Sequence, residues 1–241
     1  MRLDQALAAR GLTRSRAKGQ QAVANGFVLV NGTVASKPSL DVGDDDVLEI
    51  TQPDEYVSRG AYKLLGALED SGVQVRGRVL DAGASHGGFT QVCLERGAER
   101  VYAVDVGHGQ LVDFLRDDPR VAVRERLNLR ELTLSDLDEE PVDLAVGDVS
   151  FISLKLVLEQ ILGVLAPGGE ALLLVKPQFE VGRSGLNSKG VVKNEELRQS
   201  ALAGVVAAAR ELGWEAIWTG DSRVPGEHGN REFFVHLRRE R

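Results

Sequence analysis

Two lysines and two carboxylates stand where they could carry out acid–base chemistry together. Asp148 and Lys176 each directly follow an apolar run, Lys63 lies in an amphipathic segment, and Glu232 precedes the last apolar run. In a parallel sheet, residues directly after the strands face the ligand crevice. Taken singly, each of the four is more often a surface residue or a salt-bridge partner. Taken together, they could orient a weak nucleophile and remove its proton.

A glycine-rich turn is the second feature with chemical meaning. The segment 81–90, DAGASHGGFT, lies between a predicted strand and a predicted helix. Gly83 permits a tight turn, and Gly87 and Gly88 would let a ligand and the following helix approach the backbone closely. Asp105 follows the next predicted strand. Its carboxylate could therefore accept hydrogen bonds from both hydroxyls of an adenosine ribose.

The cofactor indicated by this turn is S-adenosylmethionine, with NAD as the alternative. The NAD fingerprint G-x-G-x-x-G is absent because Ser85 stands where its second glycine should be, and a pyrophosphate would lack clearance there. S-adenosylmethionine carries no phosphate, and the loop resembles that of FtsJ-like methyltransferases. His86 is better explained as a lining or solvated residue than as a catalytic one. The predicted cofactor contacts are Gly83, Ala84, Ser85, His86, Gly87, Gly88, Phe89, Asp105, Val106 and Asp148.

Alternating apolar runs and amphipathic segments predict the elements that position these residues. The pattern is typical of a parallel sheet with helices on both faces, a Rossmann-like α/β domain over residues 58–241. Ser58 is expected to cap the helix that carries Lys63. One strand of the last pair is expected to be antiparallel. Predicted strands lie near 78–80, 101–104, 121–123, 144–146, 171–175, 214–219 and 232–238, and further helices near 88–96, 109–116, 153–165 and 194–212.

The first 57 residues predict a separate small α+β domain, including its linker. Two short helices precede a hairpin whose turn, Asn31-Gly32, tolerates the positive φ values of a type I′ turn. Six basic residues and one acid occupy residues 1–37, although the whole chain has a net charge of −7. A solvated helix face would explain such a run equally well.

This segment resembles the S4-like RNA-binding domain, through residues such as Arg2-Leu3-Asp4, Gly26-Phe27-Val28 and Val30-Asn31-Gly32. The resemblance implies recognition of structured RNA through phosphate contacts. A folding or dimerisation module is the alternative. The predicted RNA contacts are Arg2, Arg10, Arg14, Arg16, Lys18 and Lys37, together with Arg59 of the second domain.

Four further segments resemble one family, the TlyA-like ribosomal RNA methyltransferases, often labelled hemolysin A. They are SRGAYKL around Lys63, GDVSFISL around Asp148, VKPQFE around Lys176 and REFFV around Glu232. The resemblance covers essentially the whole chain, with an unusually acidic linker. It implies that these four residues form the Lys-Asp-Lys-Glu set of enzymes that methylate ribose 2′-hydroxyls of ribosomal RNA, cytidines of 16S and 23S rRNA among them.

The role expected for each member of this set follows from the chemistry. A ribose 2′-hydroxyl is a weak nucleophile and must attack the sulfonium methyl in line. Lys176, close to the second cation Lys63, is expected to act as the base or as a group that orients the hydroxyl. Asp148 and Glu232 are expected to hold the lysines. The segment 182–190, rich in glycine and serine, could be a mobile substrate flap or an inert loop.

Composition narrows the remaining function classes. No stretch approaches the roughly 18 apolar residues of a membrane span, Cys93 is the single cysteine, and the four histidines have no metal-ligand spacing. We expect no metal, no membrane contact and a cytoplasmic location, since the first residues fit no targeting signal. The partners expected are ribosomal RNA or ribosomal subunits, with the oligomeric state open. A non-catalytic RNA-binding protein and a hemolysin-like membrane-active protein are the alternatives.

Overall fold

Two units divide the chain, Met1–Tyr56 and Val57–Arg241. The computed structural model describes residues 1–13, 15–24, 26–51 and 56–239. The acidic linker 52–55 and Arg14, one of the predicted RNA contacts, lie outside these described residues.

The N-terminal unit has two helices and a three-stranded antiparallel sheet. The helices are α1 (Leu3–Ala9) and α2 (Arg16–Ala24), and the strands are β1 (Val28–Val30), β2 (Thr33–Val34) and β3 (Leu48–Ile50), in the order β2-β1-β3. Val30 pairs with Thr33 across the turn, where Asn31 has φ 51° and Gly32 has φ 77°. Both values are those that a type I′ turn requires. The predicted hairpin is therefore confirmed.

A buried carboxylate ties the two helices of this unit together. Asp4 has no exposed surface, and its oxygens accept hydrogen bonds from Arg2 Nε (3.0 Å), Arg16 Nε (3.0 Å) and Gln20 Nε2 (2.7 Å). The hydrogen bonds from Arg2 and Gln20, followed by that of Arg16, hold the pKa of the Asp4 carboxyl well below its usual range. Since a buried charge is stabilised only when it is paired and hydrogen-bonded, this cluster fixes α1 against α2.

The second unit is a seven-stranded sheet in the order β6-β5-β4-β7-β8-β10-β9. Its strands are β4 (Arg78–Ala82), β5 (Arg100–Asp105), β6 (Val121–Glu125), β7 (Val142–Gly147), β8 (Leu165–Val175), β9 (Trp214–Asp221) and β10 (Phe233–Arg239). The strands β4 to β8 are parallel, and β10 is antiparallel to both β8 and β9. The expected single antiparallel strand of the last pair is confirmed.

Six α-helices accompany this sheet: α3 (Gly60–Ser71), α4 (Gly88–Glu95), α5 (Asp113–Arg116), α6 (Leu158–Gly163), α7 (Pro177–Glu180) and α8 (Glu195–Glu211). The helix predicted over 109–116 is shorter than expected. The prediction that Ser58 caps α3 is wrong, because Arg59 already has helical backbone angles and no side chain caps the helix. Among the described residues, no helix is long and apolar enough to span a membrane.

Asp4→Asn is expected to weaken the packing of α1 and to remove its acid sensitivity. Because the folded-state pKa of Asp4 is lowered, its stabilisation is present above about pH 4 and is lost as the pH falls further. Hydrogen exchange of the α1 amides in the full chain should therefore be faster in the variant at neutral pH, and the difference should shrink in acid. Asp45→Asn, at an exposed position, is the control and should exchange like the wild type.

Candidate active site

One edge of the large sheet gathers the charged residues that the sequence singles out. Asp148 directly follows β7 and Lys176 directly follows β8, so both lie at the carboxyl ends of parallel strands. Glu232 precedes β10, which runs antiparallel and pairs Phe233 with Val175. The reversed strand therefore brings its first residue to the same edge at which its neighbours end.

The four charged side chains form two adjacent ion pairs. Lys63 Nζ, from α3, lies 2.6 Å from Glu232 Oε2, and Lys176 Nζ lies 2.5 Å from Asp148 Oδ1. The pairs adjoin because Asp148 Oδ2 is also 4.0 Å from Lys63 Nζ. The structure thus brings all four predicted residues into one cluster.

Burial makes this cluster sensitive to the loss of any member. Only 5% of Lys63, 8% of Lys176 and 2% of Glu232 is exposed, and Asp148 is partly exposed. Removing one partner of a buried pair leaves the other charge uncompensated, which costs about 3–5 kcal/mol. The four charges are consequently held as a set, with two ammonium groups balancing two carboxylates.

Two neutral side chains complete the cluster and were not predicted from the sequence. Ser150 Oγ accepts a hydrogen bond from Lys176 Nζ (2.6 Å), and Gln178 Nε2 donates one to Glu232 Oε1 (2.8 Å). Each follows a predicted residue by two positions, Ser150 in the loop after β7 and Gln178 in the first turn of α7. That spacing, within the segments GDVSFISL and VKPQFE, is the signal that the sequence offers for them.

Gly226 is a third unpredicted member, through close packing. A Cβ atom there would lie 2.2 Å from Glu232 Oε1. Any larger residue would displace the carboxylate that holds Lys63.

The glycine-rich turn passes beside this cluster. Gly83 has φ 86°, and a Cβ atom on it would lie 3.0 Å from the carbonyl oxygen of Asp148. At Gly88 a Cβ atom would lie 2.1 Å from Ser58 Oγ and 2.9 Å from the backbone nitrogen of Ala61. Ser58 therefore serves to pack the start of α4 against the start of α3, in place of the predicted capping role.

At Gly87 the structure shows a reason for a glycine that the sequence analysis does not give. Its φ of 96° favours glycine, and a Cβ atom there would meet Leu115 at 2.4 Å and Leu111 at 2.7 Å. The residue therefore leaves room for the side chains of Leu111 and Leu115.

Asp105 organises the loops at the end of β5. Its Oδ2 accepts a hydrogen bond from the backbone of Ser85 (2.8 Å), and its Oδ1 accepts one from the backbone of Gly107 (2.7 Å). A carboxylate offers about four lone-pair sites, so two such bonds leave acceptor capacity for ribose hydroxyls. The geometry fits a group that both shapes the loop and receives a ligand.

A cavity of about 270 Å³ lies over the charged cluster and the first half of the glycine turn. Of the predicted cofactor contacts, Gly83, Ala84, Ser85, Gly88, Phe89 and Asp148 line it, as do all four charged residues and Arg59. His86, Gly87, Asp105 and Val106 do not line it; the His86 side chain is exposed and hydrogen-bonded to Ser85, and Val106 is exposed.

An exposed aromatic ring also borders this cavity. Phe151 is 89% exposed, has φ 65°, and stacks obliquely on Phe179 with ring centroids 5.5 Å apart. A bulky residue with positive φ is strained, and such strain concentrates at functional sites. Phe151 lies within the segment GDVSFISL, but no role is predicted for it from the sequence.

Asp81 lies beneath the turn, fully buried at the end of β4. Burial raises the pKa of its carboxyl to about 7, the hydrogen bond from Thr90 Oγ1 (2.6 Å) opposes the rise, and the neighbouring charge of Asp148 adds to it. Asp81 Oδ1 has no hydrogen-bond partner among the described residues. The group is therefore poised between its neutral and charged forms near neutral pH.

The predicted RNA contacts of the N-terminal unit have intramolecular partners as well. Arg2 and Arg16 bind Asp4, while their side chains stay 40% and 52% exposed. Arg10 donates to the carbonyl oxygens of Gly43 and Asp46, each at 2.6 Å. Lys18 is half-buried and Lys37 is exposed.

Comparisons with known proteins match both units. The model of the FtsJ-like methyltransferase family matches residues 56–239, and the S4 domain model matches residues 1–48. The chain is 46% identical over 240 residues to the 16S/23S rRNA (cytidine-2′-O)-methyltransferase TlyA of Mycobacterium tuberculosis, covering 98% of this chain and 89% of that protein.

Two further relatives carry a different name. Hemolysin A of Brachyspira hyodysenteriae is 36% identical over 238 residues, covering 98% of this chain and 99% of that protein. A solved structure from Streptococcus thermophilus, which also bears a hemolysin name, aligns with a TM-score of 0.79 and 38% identity over 100% of this chain and 88% of that one.

Asp81→Asn is expected to flatten the pH dependence of stability. A raised carboxyl pKa means that the stabilisation is present below about pH 4 and is lost as the pH rises through about 7. The full shift corresponds to on the order of 4 kcal/mol. The melting temperature of the variant should therefore rise relative to the wild type between pH 5 and pH 8. If the difference in melting temperature between Asp81→Asn and the wild type does not change with pH, the raised pKa of Asp81 is refuted. Asp117→Asn, at an exposed position, serves as the control.

Proposed function

We propose that this chain, which belongs to the FtsJ-like methyltransferase family, transfers a methyl group from S-adenosylmethionine to ribose 2′-hydroxyls of ribosomal RNA. The observation that carries the proposal is the pair of lysine–carboxylate ion pairs beside the glycine turn. The relative from Mycobacterium tuberculosis is named for cytidine in 16S and 23S rRNA. Cytidines of ribosomal RNA are accordingly the proposed substrate.

The cluster has the groups that this transfer needs. When bound, S-adenosylmethionine supplies an electrophilic methyl group on a sulfonium centre. Lys176 Nζ lies at the cavity wall between Asp148 and Ser150, so as an ammonium it can donate a hydrogen bond that holds the 2′-hydroxyl oxygen in line. To act as the base it must first pass one of its own protons to solvent, after which the neutral amine takes the proton of the hydroxyl. Lys63, which is paired with Glu232, also lies 4.0 Å from Asp148 and so helps to hold the Asp148 carboxylate in place.

The residues at the turn fit the proposed cofactor. Gly83 and Ser85 line the cavity together with Asp148, and no cluster of metal-ligating residues is present within the part of the chain that the structure describes. Asp105 would bind the ribose hydroxyls of the cofactor, and Asp148 would lie near its methionine end. Because the reaction disperses a positive charge, a half-buried cleft favours the transition state over the ground state.

The N-terminal unit would supply part of the RNA affinity. Its S4 domain match and its exposed basic side chains support contacts to phosphates, which position an RNA without reading its sequence. Arg59 lines the cavity and would contact the target strand next to the reacting ribose.

Methyl transfer itself tests the proposal. Purified protein and radiolabelled S-adenosylmethionine should label ribosomes or ribosomal RNA from a strain that lacks the gene, and mapping should place the label on ribose 2′-oxygens. Label on bases, or none on any ribosomal RNA, would contradict the proposal.

Lys176→Ala is expected to lower the single-turnover rate about 10²–10⁴-fold while RNA and cofactor affinities stay nearly unchanged, because the residue acts on the reacting hydroxyl. Lys176→Arg distinguishes its two possible roles. Arginine keeps the charge but cannot lose its proton, so a nearly inactive variant indicates a base and an active one indicates orientation. Lys155→Ala removes an ion-paired lysine outside the cavity and should retain full activity. Retained activity in Lys176→Ala would remove the four-residue assignment.

Asp105→Ala is expected to weaken S-adenosylmethionine binding by about 1.5–3 kcal/mol per lost charged hydrogen bond. Asp105→Asn keeps one acceptor oxygen, so its affinity for S-adenosylmethionine should lie between that of the wild type and that of Asp105→Ala. Isothermal titration calorimetry measures both, with exposed Asp113→Ala as the control. Unchanged affinity in Asp105→Ala would take the residue out of the cofactor site.

A further inference from the structure

A short acid-free segment of the catalytic unit carries three positive charges. Residues 182–193, here named the basic strap, contain Arg183, Lys189 and Lys193 and no aspartate or glutamate, although the whole chain has a net charge of −7. All three side chains are exposed. None of them has a carboxylate partner among the residues that the structure describes, whereas most other arginines of this unit do.

The strap has a defined conformation. The side-chain oxygen of Asn187 accepts hydrogen bonds from the backbone of Lys189 and of Val191, each at 2.9 Å. The backbone N–H of Asn187 donates a further hydrogen bond to the carbonyl oxygen of Val191 (3.1 Å), and Gly190 has the positive φ of 72° that closes the turn. The backbone of Lys189 is thus held in place, so binding a ligand has to order only its side chain.

Both ends of the strap connect to catalytic residues. Its first residue follows α7, which begins directly after Lys176. Near its other end, Asn230 accepts a hydrogen bond from the backbone of Val192 (3.2 Å) and donates one to the carbonyl oxygen of Gly190 (3.1 Å). Asn230 is buried and stands two residues before Glu232. Whatever binds the strap is therefore held at a fixed place relative to the reacting groups.

We propose that the basic strap is an RNA-backbone contact of the catalytic unit, holding phosphates that flank the target nucleotide. The inference rests on the proposed function and names a second RNA-binding surface for it. Gly182 lies six positions after Lys176, so the chain places it at most about 22 Å from that residue. The start of the strap therefore lies within a few nucleotides of the proposed reaction centre, while its far end is held by Asn230, two positions before Glu232.

The composition of the strap suits phosphates and not the stacking of bases. Its three cations stand at separate points of one exposed loop, with no aromatic side chain among residues 182–193 to stack on a base. Phosphate contacts fix the register and orientation of a nucleic acid, and base contacts specify its sequence. The strap should therefore bind ribosomal RNA and unrelated RNA of equal length alike.

Neutralising the strap tests this inference. The triple variant Arg183→Gln, Lys189→Gln, Lys193→Gln is compared with the wild type by filter binding of deproteinised ribosomal RNA over a range of salt concentrations. Loss of three phosphate contacts should reduce the slope of log K against log salt by about 2–3. Affinity at low salt should fall at least tenfold, and KM for RNA should rise while the single-turnover rate at saturating RNA and the affinity for S-adenosylmethionine stay the same.

A matched control keeps the test specific. Arg76, Arg96 and Arg210 are exposed, have no carboxylate partner among the described residues, and lie at the amino ends of the strands, opposite the cavity. Their triple glutamine variant removes the same charge and should keep most of the wild-type salt slope. The charge-conserving variant Arg183→Lys, Lys189→Arg, Lys193→Arg should bind as the wild type does. An unchanged slope in the strap variant, or an equal loss in the control, overturns the proposal.

The outcome can be separated from that of the proposed function because RNA binding is read without methyl transfer. If the wild type binds RNA in a strap-dependent way but transfers no methyl group, the proposed function fails and the contact stands. If the wild type methylates RNA and the strap variant binds and reacts like it, the contact alone fails.

Discussion

The buried pairing of two lysines with two carboxylates is the constraint on which the rest of the catalytic unit depends. Lys63 and Glu232 come from opposite ends of that unit, 169 residues apart, and their atoms meet at 2.6 Å. Such a contact requires α3 to lie over the carboxyl edge of the sheet and β10 to run antiparallel. In a wholly parallel sheet, the residue before β10 would lie at the far edge. The antiparallel direction of β10 therefore places Glu232 in the charged cluster as well as completing the sheet.

The glycine turn is shaped by the same cluster. Gly83 must lack a side chain because the backbone of Asp148 is so close to it, and the start of α4 approaches α3 through Gly88 and Ser58. Below them, Asp81 is buried without a cation, and the charge of Asp148 further disfavours its ionised form. The two aspartates thus differ in their partners, because Asp148 is paired with Lys176 while burial raises the pKa of the Asp81 carboxyl.

Much of this arrangement could be predicted from the sequence, because strand-end positions follow from apolar periodicity. Asp148, Lys176 and Glu232 are found where that periodicity places them. The side chains that were missed act through details that no periodicity carries. Ser150 depends on the conformation of the loop after β7, Gln178 on the short helix α7, and Gly226 on where the Glu232 carboxylate points. The close packing of Leu111 and Leu115 at Gly87 is a further reason for a glycine that the sequence does not reveal.

Charge balance at the reaction centre has a consequence for the whole molecule. Two ammonium groups and two carboxylates cancel, so the cleft presents little net field to a polyanion despite its lysines. Affinity for RNA must then come from cations outside the cluster, such as Arg59, the N-terminal arginines and the basic strap. This division would let a chain with a net charge of −7 bind RNA, since a few exposed cations at fixed places matter more than the total. It would also leave the lysines proposed as catalytic free of phosphate and available to the reacting hydroxyl.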